Sequence, residues 1–264
     1  MLTLATTSLR EVERERLETF VELLKRDLGD RLLAVWLYGS RARGEAPGGE
    51  DSDVDLLVLT EDASRDRKRV GDLAWQAGDG SRRGTVELSP TVGDLDWLAE
   101  RRSIEAFFIK EVDRDKVVLF GDSFDAVGLD VPPPSIEPGR MSPRSQEYFD
   151  MARSRLRTAR MVFEDDDYPV TISLAYYSML YAARAALSEE DLFAKTHTGV
   201  WNVLRTALVE AGRFPAELQE AGQGAQQLRW DADYAARDFS REQAEALLRS
   251  AERFLEAVET LAAG

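Results

Sequence analysis

The chain has 264 residues, of which 44% are hydrophobic and 31% charged, so it can bury the cores of two ordinary domains and is too apolar for a disordered protein. It contains no cysteine and one histidine, which excludes disulfides, thiolate metal sites and cysteine nucleophiles and leaves oxygen as the ligand for any metal. The net charge of -15 argues against broad nonspecific binding of nucleic acid. The N-terminal sequence shows no secretory signal, and the chain has no apolar run of membrane-spanning length, so we expect a cytoplasmic protein without membrane contact.

The first half of the chain alternates helical and strand patterns. Apolar residues at spacings of three and four predict a helix over residues 9–28, and short runs rich in strand formers follow it. The remaining predicted elements are strands at 32–38, 54–60 and 84–92, a helix at 67–76, helical segments over 94–111 and a strand at 116–120. Alternation of this kind predicts an α/β or α+β domain with a short mixed sheet.

Five of the nine prolines fall between Val131 and Pro143. Proline at that density blocks helix and strand hydrogen bonds and favours a semi-rigid extended linker. We therefore predict a first domain over residues 1–130, a linker over 131–143 and a second domain over 144–264.

The second half of the chain is helical throughout. Amphipathic or buried helical patterns cover residues 142–163, 170–187, 198–211, 215–228 and 240–262. Ser240 and Gln243 have the spacing of a capping box at the start of the last of these helices. The pattern predicts an all-α bundle of five helices.

Residues with the chemistry of a phosphate site lie between the first two predicted strands. A loop, Gly-Ser-Arg-Ala-Arg-Gly at 39–44, follows the first strand, and Ser-Asp-Val-Asp at 52–55 opens the second. Alternate strand residues share a face, so Asp53 and Asp55 present two carboxylates side by side, which suits Mg²⁺. Backbone amides of Gly39 and the Ser40 hydroxyl can hold phosphate oxygens. Glu87 on a neighbouring strand is a candidate third carboxylate, so the pattern indicates metal-assisted phosphoryl chemistry.

This arrangement resembles the signature of the DNA polymerase β-like nucleotidyltransferases, particularly the minimal nucleotidyltransferases, over residues 17–120. The resemblance implies that Asp53 and Asp55 hold two Mg²⁺ (or Mn²⁺) ions and that Gly39 and Ser40 bind the β- and γ-phosphates of an NTP, for which ATP is expected. Glu87 stands where the family more often has Asp, as a ligand of the catalytic metal or as the acceptor of the hydroxyl proton. Arg41 and Arg43 are further candidates for phosphate contact, beside the alternative that they are merely solvated.

The helical half resembles the HEPN family over residues 142–261, on the runs 175–187, 195–200 and 229–234. Many HEPN proteins are metal-independent RNases with an Arg four to six residues before a His, whereas here Arg184 precedes the single histidine by thirteen positions. Core or dimer-face packing and a buried ion network are the competing interpretations for its polar and aromatic residues. The candidate cleft residues of this half are Tyr177, Arg184, His197, Arg229 and Asp233.

The order of the two resemblances is similar to fused toxin-antitoxin pairs and to the layout of aminoglycoside nucleotidyltransferases. It implies a cleft with Mg·NTP on the first domain and acceptor recognition from the second, and a homodimer through the helical domain. The leading hypothesis is transfer of an NMP from an NTP to a hydroxyl of a protein, a nucleic-acid end or a small molecule. Two alternatives are a nuclease, acting through the carboxylate-metal centre or the HEPN domain, and a nonenzymatic, antitoxin-like module that binds nucleotide.

Overall fold

In a computed structural model, described over residues 4–45, 53–78, 87–137, 139–235 and 238–263, the chain forms two compact units, Met1–Pro133 and Pro134–Gly264. The division falls inside the proline-rich segment, where residues 132–137 form neither helix nor strand. Ser52, residues 84–86 of the third predicted strand and Pro138 of the linker lie outside the described residues.

The first unit is a four-stranded mixed sheet with helices on both faces. The strands lie in the order β3-β2-β1-β4; β2 and β3 are parallel, and β1 is antiparallel to both β2 and β4. The elements are α1 Glu11–Leu28, β1 Leu32–Leu37, α2 Gly39–Ala42, β2 Val54–Thr60, α3 Ala63–Gly78, β3 Leu88–Gly93, α4 Leu95–Ser103, α5 Phe107–Asp115 and β4 Val117–Gly121.

The two faces of the sheet are buried by different helices because side chains alternate along each strand. On one face Val35 and Leu56 join a core with the apolar residues of α1 and α3. On the other face Trp36 and Leu57 pack with the apolar residues of α4 and α5. Residues of odd number on β2 therefore point toward the α4 and α5 side.

One prediction for the first unit is wrong in detail. The predicted loop at 39–44 begins with the short helix α2, closed by a hydrogen bond from the Arg43 amide to the Gly39 carbonyl (3.1 Å). The helical segments predicted over 94–111 form two helices, which separate at Glu105, because this residue adopts a φ of 53° that an α-helix does not accommodate. A side-chain cap from Asp94 to the Trp97 amide (2.9 Å) starts α4.

The second unit is all-helical, as its sequence predicts. Its elements are α6 Pro143–Glu164, α7 Tyr168–Glu189, α8 His197–Leu204, a π-helical turn Arg205–Val209, α9 Ala216–Tyr234 and α10 Arg241–Ala263. The predicted capping box is confirmed: Ser240 accepts from the Gln243 amide (3.3 Å), and Gln243 accepts from the Ser240 amide (3.0 Å). No helix within the described ranges is long and apolar enough to cross a membrane.

The core of the second unit centres on α7 and on Trp201 of α8. Trp201 packs edge-on against Phe254 of α10, with ring centroids 6.0 Å apart. A Cβ on Gly222 of α9 would come within 2.6 Å of the same indole, so the missing side chain admits α9 to close packing. The bundle brings the middle of α7, the start of α8 and the C-terminal part of α9 close together.

Candidate functional site

Strand register brings the predicted carboxylates of the first unit to one end of the sheet, where β1 ends and β2 and β3 begin. We call this end the sheet edge. Antiparallel β1 ends where β2 begins, and parallel β3 begins at that same edge. The Val54 amide donates to the Glu87 carbonyl (2.9 Å), and Asp55 is in register with Ser89. Asp53, Asp55 and Glu87 therefore belong to one edge.

Gly39 approaches the Asp55 side chain closely. Its φ is 78°, and a Cβ built on it would lie 2.6 Å from Oδ2 of Asp55. Any other residue would be strained at that φ and would also collide with the carboxylate. The backbone amide of Tyr38, directly before the glycine, donates to the Asp55 carbonyl (3.1 Å). The start of α2 is thus fitted directly against the Asp55 carboxylate.

Three residues that no sequence pattern indicated meet near this site: Tyr38, whose phenol is close to Asp55, and Thr91 and Glu111, which interact with Tyr38. The Tyr38 ring packs edge-on against Phe108 at 5.4 Å. Burial raises the pKa of the Tyr38 phenol, a hydrogen bond with Thr91 opposes that rise, and the negative charges of Asp55 and Glu111 add to it. The phenol therefore stays protonated at neutral pH. Alternation along β3 places Thr91 on the same face as Ser89, whereas nothing in sequence spacing connects Glu111 of α5 to this edge.

The two arginines of the turn are engaged within the first unit. Arg41 is buried and pairs with Glu13 of α1, with Nη2 2.7 Å from Oε1. Arg43 pairs with Asp115 at the end of α5 (2.5 Å) and with Glu45 (2.6 Å). These pairs raise the pKa of Arg43, chiefly through the hydrogen bond to Glu45. Phosphate contact by Arg41 is not available in this structure, because its guanidinium is enclosed by protein, and that prediction is corrected.

The carboxylates do not form a closed metal site by themselves. Across the described segments, no three acidic or histidine side chains come close enough together to hold a metal ion. Glu87 is exposed and immediately precedes β3, while Asp53 and Asp55 are half-buried. Asp53 directly precedes β2 and Asp55 lies within it, so strand alternation puts their side chains on one face, with the exposed Glu87 at the rim. The carboxylates of Asp53 and Asp55 are hard oxygen donors of the kind that suits Mg²⁺ or Mn²⁺.

The helical unit brings together the five residues predicted for its cleft. Tyr177 of α7 lies edge-on to His197 of α8, with ring centroids 5.9 Å apart, and the Arg229 guanidinium of α9 lies 5.4 Å from the Tyr177 ring. Arg229 pairs with Asp233 (2.7 Å). We call these residues, with Arg184 of α7, the helical cluster.

The electrostatics of the helical cluster favour a neutral histidine. Burial lowers the pKa of His197, and the positive charges of Arg184 and Arg229 lower it further. Its Nδ1 lies 3.0 Å from the hydroxyl of Tyr176, a fully buried residue whose pKa burial raises to about 12. Because the phenol keeps its proton, His197 accepts that hydrogen bond when its Nδ1 is unprotonated. The cluster therefore holds two cationic arginines, one carboxylate and an uncharged imidazole.

Both units match known families. Residues 17–118 match the model of the nucleotidyltransferase domain, and residues 145–261 match that of the HEPN domain. A UPF0332 protein from Gloeobacter violaceus is 34% identical over 125 residues, 46% of this chain and 99% of that protein. A candidate toxin from Methanocaldococcus jannaschii is 28% identical over 113 residues, 43% of this chain and 84% of that protein.

Solved structures with weaker similarity also cover the chain. A spectinomycin adenyltransferase from Enterococcus faecialis, solved with ATP and spectinomycin, aligns with 93% of this chain and 98% of its own, at 15% identity and a TM-score of 0.42. A Thermus thermophilus protein aligns with 45% of this chain and 98% of its own, at 23% identity and a TM-score of 0.40.

Proposed function

Because this chain belongs to the proteins that join a nucleotidyltransferase domain to a HEPN domain, we propose that it transfers an NMP from an NTP, with ATP expected, to a hydroxyl acceptor. The observation that carries the proposal is the approach of Gly39 to Asp55. A glycine with a left-handed φ begins a helical turn directly against the carboxylate of Asp55, and strand alternation puts Asp53 on the same face. Such a turn gives phosphate oxygens access to backbone amides beside paired carboxylates.

In this proposal the residues at the sheet edge bind the triphosphate, hold the metal ion or accept a proton. The amides of Gly39 and Ser40 and the Ser40 hydroxyl bind the β- and γ-phosphates. Asp53 and Asp55 hold Mg²⁺ or Mn²⁺, and Glu87 at the rim is a third ligand or accepts a proton. When bound, the cation would offset the charge of the triphosphate and of the leaving pyrophosphate.

The transfer forms one bond and breaks another. The acceptor oxygen attacks the α-phosphorus, the bond from that phosphorus to the bridging oxygen breaks, and pyrophosphate leaves with its electron pair. The proton of the acceptor hydroxyl passes to a carboxylate, for which Glu87 is best placed because its side chain is exposed. The protonated phenol of Tyr38 and the hydroxyl of Thr91 provide hydrogen bonds near Asp55 without adding charge.

The helical unit supplies acceptor recognition in this proposal. Its cluster offers aromatic rings, two cations and an uncharged imidazole, so it can bind a ligand by stacking and by hydrogen bonds. The acceptor hydroxyl belongs to a protein, a nucleic-acid end or a small molecule in this proposal.

The proposal is tested by incubating the full chain with α-³²P-labelled NTPs and Mg²⁺ or Mn²⁺, with and without cell extract. Protein, nucleic acid and small molecules are then resolved separately. We expect label in one acceptor fraction with the wild type and none with the Asp53→Asn, Asp55→Asn double variant. Transfer that persists in the double variant would reject the assignment of these residues.

A matched control removes two negative charges elsewhere on the first unit. Glu22 and Asp72 are exposed and form only surface pairs with Lys25 and Lys68. The Glu22→Gln, Asp72→Asn variant changes the net charge by the same amount and should transfer label like the wild type. Loss of transfer in both double variants would show that overall charge, and not the sheet edge, governs the reaction.

Metal-independent cleavage of RNA by the helical unit is a second candidate function. It is favoured by the positions of Arg184 and Arg229, close enough to His197 to lower the pKa of the imidazole. Cleavage through the helical cluster should survive EDTA and be lost in His197→Ala, whereas transfer or cleavage at the carboxylates should stop on chelation.

We also propose that two copies of the chain pair through the helical unit. Trp230 and Tyr234 of α9 are more than half exposed on the surface of that unit. Sedimentation at micromolar concentration should show a dimer, and a monomer at all accessible concentrations would reject the pairing.

A further inference from the structure

The Arg41 side chain joins the phosphate-binding turn to the beginning of α1. Its Nη2 lies 2.7 Å from Oε1 of Glu13, and the exposed fractions of the two side chains are 1% and 0%. Removing two charges from water carries a large free-energy penalty, which can cancel their attraction. A contribution to fold stability therefore does not by itself account for a fully buried ion pair.

The same segment also binds the turn through its backbone. The Ser8 amide donates to the Arg41 carbonyl (3.0 Å), and the Arg10 amide donates to Oε2 of Glu13 (2.7 Å), which fixes that carboxylate at the start of α1. The residues just before α1 therefore hold Arg41 by its carbonyl, while Glu13 holds it by its guanidinium.

Close packing after α2 leaves this turn little freedom. Gly44 has a φ of 71°, and a Cβ on it would lie 2.4 Å from the Thr6 carbonyl oxygen. Gly39, two residues before Arg41, has its own restricted approach to Asp55. A shift of Arg41 within so short a helix would carry Gly39 and Ser40 with it.

We infer that the Arg41–Glu13 ion pair is a positioning device that sets Gly39 and Ser40 against Asp55 for the incoming triphosphate. The inference rests on the proposed NTP site and assigns Arg41 and Glu13 an indirect role, since neither side chain is placed to touch substrate. It replaces the phosphate contact predicted for Arg41. A pair that only stabilised the fold would be replaceable by apolar side chains, whereas a positioning pair would not.

The test separates stability from position with the variants Arg41→Met, Glu13→Leu and their combination, all in the full chain. Each single variant breaks a fully buried ion pair: Arg41→Met leaves the Glu13 carboxylate beside Arg10 (2.9 Å), whose side chain is 45% exposed, and Glu13→Leu takes the carboxylate away from the buried Arg41 guanidinium. Each should lower the melting temperature by roughly 10 °C. The double variant buries no unpaired charge and should recover most of that loss. If the pair positions the turn, the double variant still shows a raised KM for Mg·ATP and about a hundredfold lower kcat/KM.

A matched pair at the other end of the sheet provides the control. Arg31 pairs with the buried Asp66 of α3, just before β1 begins, whereas Gly39 follows the end of that strand. Six strand residues, about 20 Å, separate the two ends. The Arg31→Met, Asp66→Leu double variant should have nearly the melting temperature of the wild type and the Mg·ATP kinetics of the wild type.

Two further readouts keep the outcomes distinct. Titration with Mg²⁺ and a non-hydrolysable ATP analogue measures binding without transfer, and amide hydrogen exchange over residues 39–44 needs no nucleotide. We expect weaker binding and faster exchange in the Arg41→Met, Glu13→Leu protein than in the wild type and the control.

Wild-type exchange and wild-type Mg·ATP kinetics in the stable double variant would overturn the positioning role and leave the proposed function intact. A wild-type chain that neither binds Mg·ATP nor transfers label would instead overturn the proposed function. In that case hydrogen exchange alone decides whether the ion pair holds the turn.

Discussion

The first unit assembles its candidate site from strand register and a glycine backbone, whereas the helical unit assembles its cluster from long side chains on three helices. At the sheet edge, Asp55 meets Gly39 with no room for a single methyl group. In the helical cluster, ring and guanidinium centres lie more than 5 Å apart. Backbone-built geometry tolerates no added atom, while clustered side chains act mainly through charge and stacking, so the two regions should respond differently to substitution.

The largest difference is expected for Gly39→Ala. The added Cβ collides with the Asp55 carboxylate and strains a left-handed residue, so kcat/KM for NMP transfer should fall by at least about a hundredfold. Gly71→Ala on α3 is the control, because a Cβ there meets nothing within 4 Å and alanine favours the helix by about 0.5–1 kcal/mol. Label transfer and thermal melting of both variants measure the effect, and an active Gly39→Ala protein would contradict the backbone-built site.

A smaller effect is expected for Ser40→Ala. If amides provide most of the phosphate contact, loss of the hydroxyl removes one hydrogen bond to a charged group, and kcat/KM should fall only about tenfold. Steady-state kinetics with varied Mg·ATP would measure it. A loss as large as that of Gly39→Ala would mean that the side chain, not the backbone, dominates at the turn.

In the helical cluster we expect the removal of a charge to have the main effect. Removing one guanidinium in Arg229→Gln should raise the pKa of His197 toward its ordinary value, because one of the two positive charges that lower it is gone. NMR titration of the single imidazole measures the pKa of His197 in the wild type and in the variant. An unchanged midpoint would show that the charge of Arg229 does not contribute to the lowered pKa.

His197 also makes stability depend on pH. A histidine with a lowered folded pKa contributes stability that is complete above its unfolded pKa of about 6.5 and is lost as the pH falls through the folded value. Melting of the wild type should therefore decline between these two values, and His197→Gln should flatten that decline. Parallel pH profiles for the two proteins would contradict the linkage.

Much of the fold could be predicted because its signals are local. The strand predicted at 54–60 is β2 residue for residue, since an apolar run of strand formers suits a buried position. The capping box predicted from Ser240 and Gln243 starts α10, where the spacing of the two residues alone marks a helix start.

The rest depends on contacts between distant parts of the chain. Glu13 lies 28 residues before Arg41, and no pattern in the sequence joins them. Arg184 and His197 lack the sequence spacing of an Arg–His motif, yet packing of α7 against α8 places the guanidinium near the imidazole. Side chains were thus recognisable by type, but their partners were set by tertiary structure.

The pairing of β1 has a consequence for synthesis on the ribosome. β1 is an inner strand, and its neighbours on the two sides come from residues 54–60 and 117–121. The side of β1 that pairs with β4 stays unpaired until more than 80 further residues have been translated, which takes about 4 to 16 seconds at ordinary elongation rates. Trp36, whose indole donates to the Asp122 carbonyl (2.9 Å), gains that partner only then. β2, which carries Asp55, can therefore pair with one side of β1 while the other side of β1 is still unpaired and accessible to chaperones.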